Sequence, residues 1–305
     1  MLNEQIATKV GPSNIDVAYE RRGSLTDPVV LLVMGLAAQL INWPEGFLAA
    51  LVNRRLQVIR FDNRDSGHST HFHDAPRPDL PAALAGDLSS AAYTLSQMAA
   101  DAVGLLDALE LDAAHVVGAS LGGAIGQTMA IEHPARVLSL TSMMSTTGDM
   151  TVGQVHPETL KAVFGGPPAT TRETAVERAV RAFRVAGSPA YPTDPAAIAE
   201  VAGLAWDRGH DAMAVARQGV ASVASGSRTS RLHKVDVPSL VIHGMADTIC
   251  DVSGGRATAA AIPGAELVLI DGMGHNLPPG LWERFADHIA EIVRRGEAAR
   301  AERRR

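Results

Sequence analysis

The chain has 305 residues, 46% of them apolar and 20% charged, and carries a formal net charge of −6. That balance excludes intrinsic disorder, which goes with low hydrophobicity and high charge, and it argues against a nucleic-acid ligand, which needs a concentrated positive surface. The length suits one catalytic domain with an insertion, and a single cysteine, Cys250, excludes an intramolecular disulfide and fits a reducing cytoplasm.

Met1-Leu2-Asn3-Glu4-Gln5 has no basic segment leading into an apolar stretch, so no secretory leader is expected. Up to Asp27 the chain reads as an antiparallel hairpin turning at Gly11-Pro12-Ser13-Asn14. Short apolar, β-branched runs then predict strands over residues 29–33, 57–61, 114–117, 137–142, 239–243 and 266–270. Several are almost continuously hydrophobic, the pattern of strands covered by helices on both faces. Helical patterns fall between them, over 47–53, 95–109, 121–132, 254–261 and 282–295. Such alternation predicts an α/β fold with a mostly parallel central sheet flanked by helices. The most apolar stretch, Val29 to Ala38, is about half the length of a membrane span, so no membrane partner is expected.

The rhythm breaks after residue 148, where Ala- and Arg-rich helical pieces over 175–185, 196–206 and 212–223 replace strands. Residues 1–148 and 233–305 are therefore expected to form the catalytic core, and 149–232 an inserted helical cap, or lid, over the carboxyl ends of the sheet. The last ten residues, Gly296 to Arg305, hold six charged side chains and read as a solvated helix end.

Chemistry concentrates in Gly118-Ala119-Ser120-Leu121-Gly122, which follows one predicted strand and opens a helix. A strand-to-helix turn this tight needs small residues beside the serine and presents its hydroxyl above the sheet, next to the free amides of a helix N-terminus. A serine hydroxyl needs a base, and the base needs a group that fixes its tautomer. His243-Gly244-Met245-Ala246-Asp247 ends one later strand and Asp271-Gly272-Met273-Gly274-His275 follows the next, which supplies Asp247 and His275. Ser, Asp, His, each after a separate strand, is the chain order of the α/β-hydrolase fold. Asp251 and Asp271 are the fallback acids, and His243 reads as structural. An oxyanion hole is expected from the Leu121 amide and from the Leu36 amide in Met34-Gly35-Leu36, whose glycine admits close approach of backbone to substrate.

Two further clusters carry blander readings. His68, His71, His73 and Asp74 have the chemistry of zinc ligands but lie among turn formers and read as rim or solvated groups, so no metal and no cofactor is implied. Asp62 and Arg64 are expected to anchor their loop beneath the site. Gly35, Trp43 and Trp206 are candidate substrate contacts; Phe164, Phe183 and Tyr191 of the insertion are candidates with the two tryptophans for lining an apolar pocket, and packing between cap and core is the equal alternative for each aromatic residue.

Taken with Asn42-Trp43-Pro44 and with Arg60-Phe61-Asp62-Asn63-Arg64-Asp65-Ser66-Gly67-His68-Ser69, these motifs resemble bacterial α/β-hydrolases related to aclacinomycin methylesterase. The resemblance spans residues 15–147 and 235–293 and does not reach the insertion. It implies a carboxylic ester hydrolase acting on a small-molecule ester, apolar or polycyclic, such as the methyl ester of a natural product. Met34 departs from the histidine that often precedes the oxyanion glycine. The expected function is thus a serine carboxylesterase or methylesterase working through an acyl-enzyme. Lactone cleavage, carbon–carbon cleavage and perhydrolase or haloperoxidase chemistry use the same triad, and a non-catalytic ligand-binding homologue is the alternative from another class. A cytoplasmic location is expected, and a homo-oligomer is compatible with the composition.

Overall fold

In the computed structural model, which describes residues 3–303, strands β1 (Glu4–Val10) and β2 (Ile15–Arg22) pair antiparallel around the expected turn. Met1, Leu2, Arg304 and Arg305 lie outside the described residues, and with them the first two of the five residues read for a leader and the last two of the charged C-terminal ten. The chain continues through β3 (Val29–Val33), α1 (Glu45–Val52), β4 (Gln57–Phe61), α2 (Leu80–Leu84), α3 (Leu95–Ala108), β5 (Ala114–Ala119), α4 (Leu121–Glu132) and β6 (Val137–Met143). Helices α5 (Pro157–Thr159), α6 (Arg172–Ala186), α7 (Pro195–Asp207), α8 (Ala212–Ala224) and α9 (Thr229–Leu232) come next, before β7 (Ser239–Gly244), α10 (Val252–Ala261), β8 (Glu266–Ile270) and α11 (Trp282–Arg303).

The eight strands form one sheet in the order β1-β2-β4-β3-β5-β6-β7-β8, antiparallel at β1–β2 and β2–β4 and parallel from β4 onward. From β3 the chain crosses one way to β4 and then the other way to β5. The carboxyl ends of β3 and β5 therefore flank a topological switch point, where open α/β sheets leave a crevice for ligands. The near-continuous apolar strands have the cause inferred from sequence, since alternate residues feed two cores. Leu31, Val33 and Val116 pack with Leu105, Leu106 and Ile125 of α3 and α4. Val30, Leu32 and Val117 pack with Phe47 and Leu51 of α1 and with Phe285 and Ile289 of α11.

Strands β5, β6 and β7 extend one or two residues beyond their expected ends. Helix α11 runs on to Arg303 instead of ending near residue 295, because Ile292, Val293 and Gly296 stay buried and Glu291–Arg294 and Glu297–Arg300 pair one turn apart along it. Among the described residues no helix is long and apolar enough to cross a membrane.

The helical stretch between β6 and β7 leaves and rejoins the sheet at one place. Arg228, itself buried, donates to Thr146 O at 2.9 Å and to Gln127 Oε1 at 3.1 Å, and its amide donates to Thr147 O at 2.8 Å. Thr229 Oγ1 donates to Thr147 Oγ1 at 2.8 Å. At Gly148 a Cβ would lie 2.6 Å from Gly226 O, so the two stalks touch backbone to backbone.

Phe285 is wholly buried and meets the Phe47 ring edge-on, with centroids 6.4 Å apart. Phe285→Ala is expected to lower unfolding stability by about 3–5 kcal/mol in urea titration. Phe164→Ala, at a side chain left 46% exposed, is expected to stay within about 0.5 kcal/mol of the parent.

Candidate active site

Ser120 stands between β5 and α4 with φ 55° and ψ −120°, a conformation that a non-glycine residue holds only when its surroundings impose it. The surroundings here are contacts that no side chain would allow. A Cβ on Gly118 would lie 2.1 Å from Gly122 O, and one on Gly122 would lie 1.9 Å from Val33 O. Gly35, after β3, faces Ser120 so closely that its Cβ would sit 3.0 Å from the serine Cβ and 3.5 Å from Oγ. The Ser120 backbone is pinned on both sides, its amide donating to Met143 O at 2.9 Å and its carbonyl accepting from Gly123 N at 2.9 Å. Its Oγ has no hydrogen-bond partner among the described residues.

Asp247 and His275 are brought together. His275 Nδ1–H donates to Asp247 Oδ2 at 2.7 Å, which fixes the tautomer that leaves Nε2 with its lone pair. The other carboxylate oxygen, Oδ1, accepts the amides of Ile249 at 2.9 Å and Cys250 at 2.8 Å, so the acid is held at both ends and has no exposed side-chain surface. The fallback acids stand elsewhere: Asp251 caps α10 through Ser253 N, and Asp271 is exposed.

His243 is more than a strand-end residue. Its Nε2–H donates to Cys250 O at 2.7 Å and lies 3.5 Å from Asp247 Oδ2, while its buried Nδ1 has no partner among the described residues. Burial holds its pKa below the ordinary histidine value, against the opposing pull of the Cys250 carbonyl and the Asp247 charge. The ring is therefore a neutral brace for the loop that carries Asp247. Burial likewise raises the Cys250 thiol well above the usual range, which leaves it inert.

The loop after β3 is set by residues that the sequence reading did not single out. Asn63 Nδ2 donates to Met34 O at 2.9 Å, where the departure from histidine stands, and Gln218 Oε1 accepts Ala37 N at 3.1 Å. Gln218, from α8, also donates to Arg64 O at 2.9 Å and to Ser66 Oγ at 3.0 Å. The available signal was Arg217-Gln218, two polar residues facing inward on a helix that is otherwise small and apolar. Ala37 and Ala38 have their amides committed, whereas the Leu36 amide finds no acceptor among the described residues. Leu121, as the first residue of α4, has no carbonyl one turn back to bond.

Asp62 anchors its loop as expected. It is buried and accepts Leu40 N at 2.6 Å, His68 N at 3.0 Å and the Arg208 guanidinium at 2.8 Å, so it ties the β3 and β4 loops to the end of α7. Arg64 pairs with buried Asp101 at 2.6 Å and lies over the rings of Phe72 and Tyr93. Of the histidine cluster, His71 approaches Asp65 and Asp211 in the manner of a metal site. Both Asp65 oxygens are already saturated, however, by Arg217 at 2.8 Å on each, Phe72 N at 2.9 Å and Tyr93 OH at 2.7 Å. Burial raises the Asp65 carboxyl, but these donors outweigh it and keep the group below its usual range. Arg217 already supplies the cation that a metal would bring.

Trp43 is a correction. Expected against the substrate, it is wholly enclosed between α1 and the sheet and stacks on Phe47 at 5.7 Å, because the turn after β3 folds it inward beside α11. Trp206 stays part-exposed and stacks on His210, and Tyr191 packs against the α1–α11 core. A cavity of about 550 Å³ bounded by Phe183, Ser188, Thr193, Met245 and Thr248 reaches Asp247, and neither Ser120 nor His275 lines it.

A strained serine at the switch point, with a bonded Asp–His pair beyond the ends of β7 and β8, is the layout of a hydrolytic α/β enzyme. The α/β hydrolase fold family matches residues 28–279, and the chain belongs to it. Within that family, rhodomycin D methylesterase of Streptomyces peucetius is 31% identical over 90% of this chain and 94% of its own length. The rhodomycin D methylesterase of Streptomyces sp. strain C5 is 30% identical over 89% and 93%. Among solved structures, the enol-lactonase from Burkholderia xenovorans LB400 superposes with a TM-score of 0.68 at 23% identity, covering 93% of this chain and 98% of that one. At that identity the likeness is one of fold.

Because His243 stays neutral in the fold, the unfolded chain binds a proton there at mildly acidic pH when the folded chain does not. Stability is then expected to fall as pH drops below about 6.5. His243→Gln, which keeps a donor for Cys250 O, is expected to lose less of its thermal midpoint between pH 7.5 and 5.5 than the parent.

Proposed function

We propose that Ser120, His275 and Asp247 form the catalytic triad of this ester-cleaving hydrolase, with the amides of Leu36 and Leu121 as its oxyanion hole. The observation that carries the reading is the 2.7 Å bond from His275 Nδ1 to a fully buried Asp247, which leaves Nε2 as the base. Ser120 Oγ adds to the ester carbonyl carbon as its proton passes to His275 Nε2. Negative charge then collects on the former carbonyl oxygen, facing two amides that have no other acceptor and the N-terminus of α4. Collapse breaks the C–O bond, His275 returns the proton to the departing alcohol, and the acyl group stays on Ser120. Water repeats the route and releases the acid.

The substrate class we infer is the methyl ester of a bulky, apolar or polycyclic carboxylic acid, supported by the similarity to rhodomycin D methylesterases over nine-tenths of both chains. Residues 149–232 act as the cap in this reading. Gln39, from the β3 loop, donates to Ala205 O at 2.8 Å and to Gly209 O at 3.1 Å, which ties the end of α7, on either side of Trp206, to the β3 loop and supports that reading. Gly35 and Trp206 are the proposed substrate contacts. A single inert cysteine suits the cytoplasmic location proposed with it. The decisive assay incubates the enzyme with methyl esters of polycyclic acids and with p-nitrophenyl esters of rising acyl length, and measures free acid and methanol. Turnover of the small aryl esters alone would sink the polycyclic reading while leaving esterase chemistry in place.

A fluorophosphonate is expected to add one label to the parent and none to Ser120→Ala by intact mass, and equal labelling of the two would remove Ser120 from the mechanism. Asp247→Asn should lower kcat by roughly 10³- to 10⁴-fold, since it favours the wrong histidine tautomer, whereas Asp251→Asn should remain close to the parent. Dialysis against a chelator should leave turnover unchanged, because Arg217 already satisfies the Asp65 carboxylate.

A further inference from the structure

The loop that carries His275 is gripped from two directions. On the sheet side, Ala246 N donates to Met273 O at 2.9 Å and Met273 N to Ile270 O at 3.4 Å. On the other side the partner is the segment between α6 and α7. His275 N donates to Ala186 O at 2.7 Å, and Ala190 N donates to Gly272 O at 3.1 Å. Ser188, 6% exposed, contributes its side chain twice: Oγ accepts Gly274 N at 2.9 Å and donates to Asn276 Oδ1 at 2.6 Å. One hydroxyl thus bonds the residues on either side of His275.

The glycines of this loop fit the same contact. A Cβ on Gly272 would lie 2.3 Å from Ala190 Cβ, and one on Gly274 would lie 2.3 Å from Gly187 O and 2.5 Å from Ala186 O. The spacing Gly272-Met273-Gly274 is therefore what lets residues 186–190 lie directly on the loop. Among these contacts, the only side-chain hydrogen bonds are those of Ser188.

We propose that Ser188 is a positioning residue for His275, so that the insertion holds the base in place as well as covering the substrate; this rests on His275 being the base. The backbone at residues 274–276 determines where the imidazole stands, and Asp247 fixes only one edge of the ring. Displacing a reacting group by about 1 Å can cost on the order of 10² in rate. Without the Ser188 hydroxyl, buried Gly274 N and part-buried Asn276 Oδ1 lose their partner, and the loop regains freedom along the path between Asp247 and Ser120.

The test measures kcat, KM and the rate of fluorophosphonate labelling for the parent, Ser188→Ala, Ser188→Thr, Asn276→Ala and His275→Ala, with thermal midpoints for each. Ser188→Ala is expected to lower kcat and the labelling rate about 10- to 100-fold with KM within about twofold, and the downfield proton resonance of His275 Nδ1–H should broaden. Ser188→Thr, which keeps the hydroxyl, should recover most of the loss. Asn276→Ala removes one of the two bonds without altering the insertion and should reproduce part of the loss, at least about threefold in kcat and labelling rate, so it carries the test should Ser188→Ala fail to accumulate. Parent-like kcat and labelling in both Ser188→Ala and Asn276→Ala, or a loss that merely follows the unfolded fraction, would overturn the proposal. Activity retained by His275→Ala would overturn the base assignment instead, a distinct result.

Discussion

How closely α4 approaches the end of β3 sets the rest of this molecule's chemistry. The carbonyl of Val33 occupies the place where a side chain on Gly122 would go, and Gly122's own carbonyl fills the corresponding place at Gly118. With helix and strands that near, the residue between β5 and α4 has little choice but φ 55°, and the strain sits at Ser120. The same closeness brings the β3 loop, through Gly35, against Ser120, so that two uncommitted amides and one hydroxyl converge, with Gln218 and Asn63 bonding the loop from behind. Adding a methyl group at Gly118 or Gly122 would move every one of these elements.

A second tier of order comes from buried charge. Asp62 and Asp65, consecutive anchors of the β4 loop, meet Arg208 at the end of α7 and Arg217 in α8. Each pair spans from the sheet to the inserted helices, and each carboxylate also accepts a backbone amide of its own loop, Asp62 from His68 and Asp65 from Phe72. Removing one partner of such a pair strands a charge away from water, a far larger penalty than losing a surface bridge. The loop Asp62–Ser69 thus has its shape fixed by the insertion as much as by the sheet, and it in turn holds the β3 loop through Asn63 and Met34.

Much of this was legible in the sequence for identifiable reasons. Strands buried on both faces are written as unbroken apolar runs, and the glycine-flanked Ser120 and the acidic and basic strand ends are local signals whose chain order is informative. What escaped was non-local. Nothing in Asn42-Trp43-Pro44 tells that Trp43 turns inward onto Phe47, because burial there depends on where α11 packs. Gln218 and Ser188 sit in stretches without a motif, and their roles arise only when a helix 180 residues on from the β3 loop, or a turn more than 80 residues before the His275 loop, is folded against it. The end of α11 was misjudged because charge along a helix reads equally well as fraying or as pairing one turn apart.

The meeting of the two stalks at Gly148 and Gly226 has a polymer-physics consequence. Because the insertion leaves and re-enters at one point, it is a closed loop grafted onto a core whose strand register does not depend on its contour length. The entropy of closing such a loop grows only logarithmically, about 0.6 kcal/mol for each doubling. Residues could be added or removed far from both the stalks and the 186–190 contact at little cost to the sheet. Variation in the length of the insertion is thereby thermodynamically cheap, while variation at the turn around Ser120 is not.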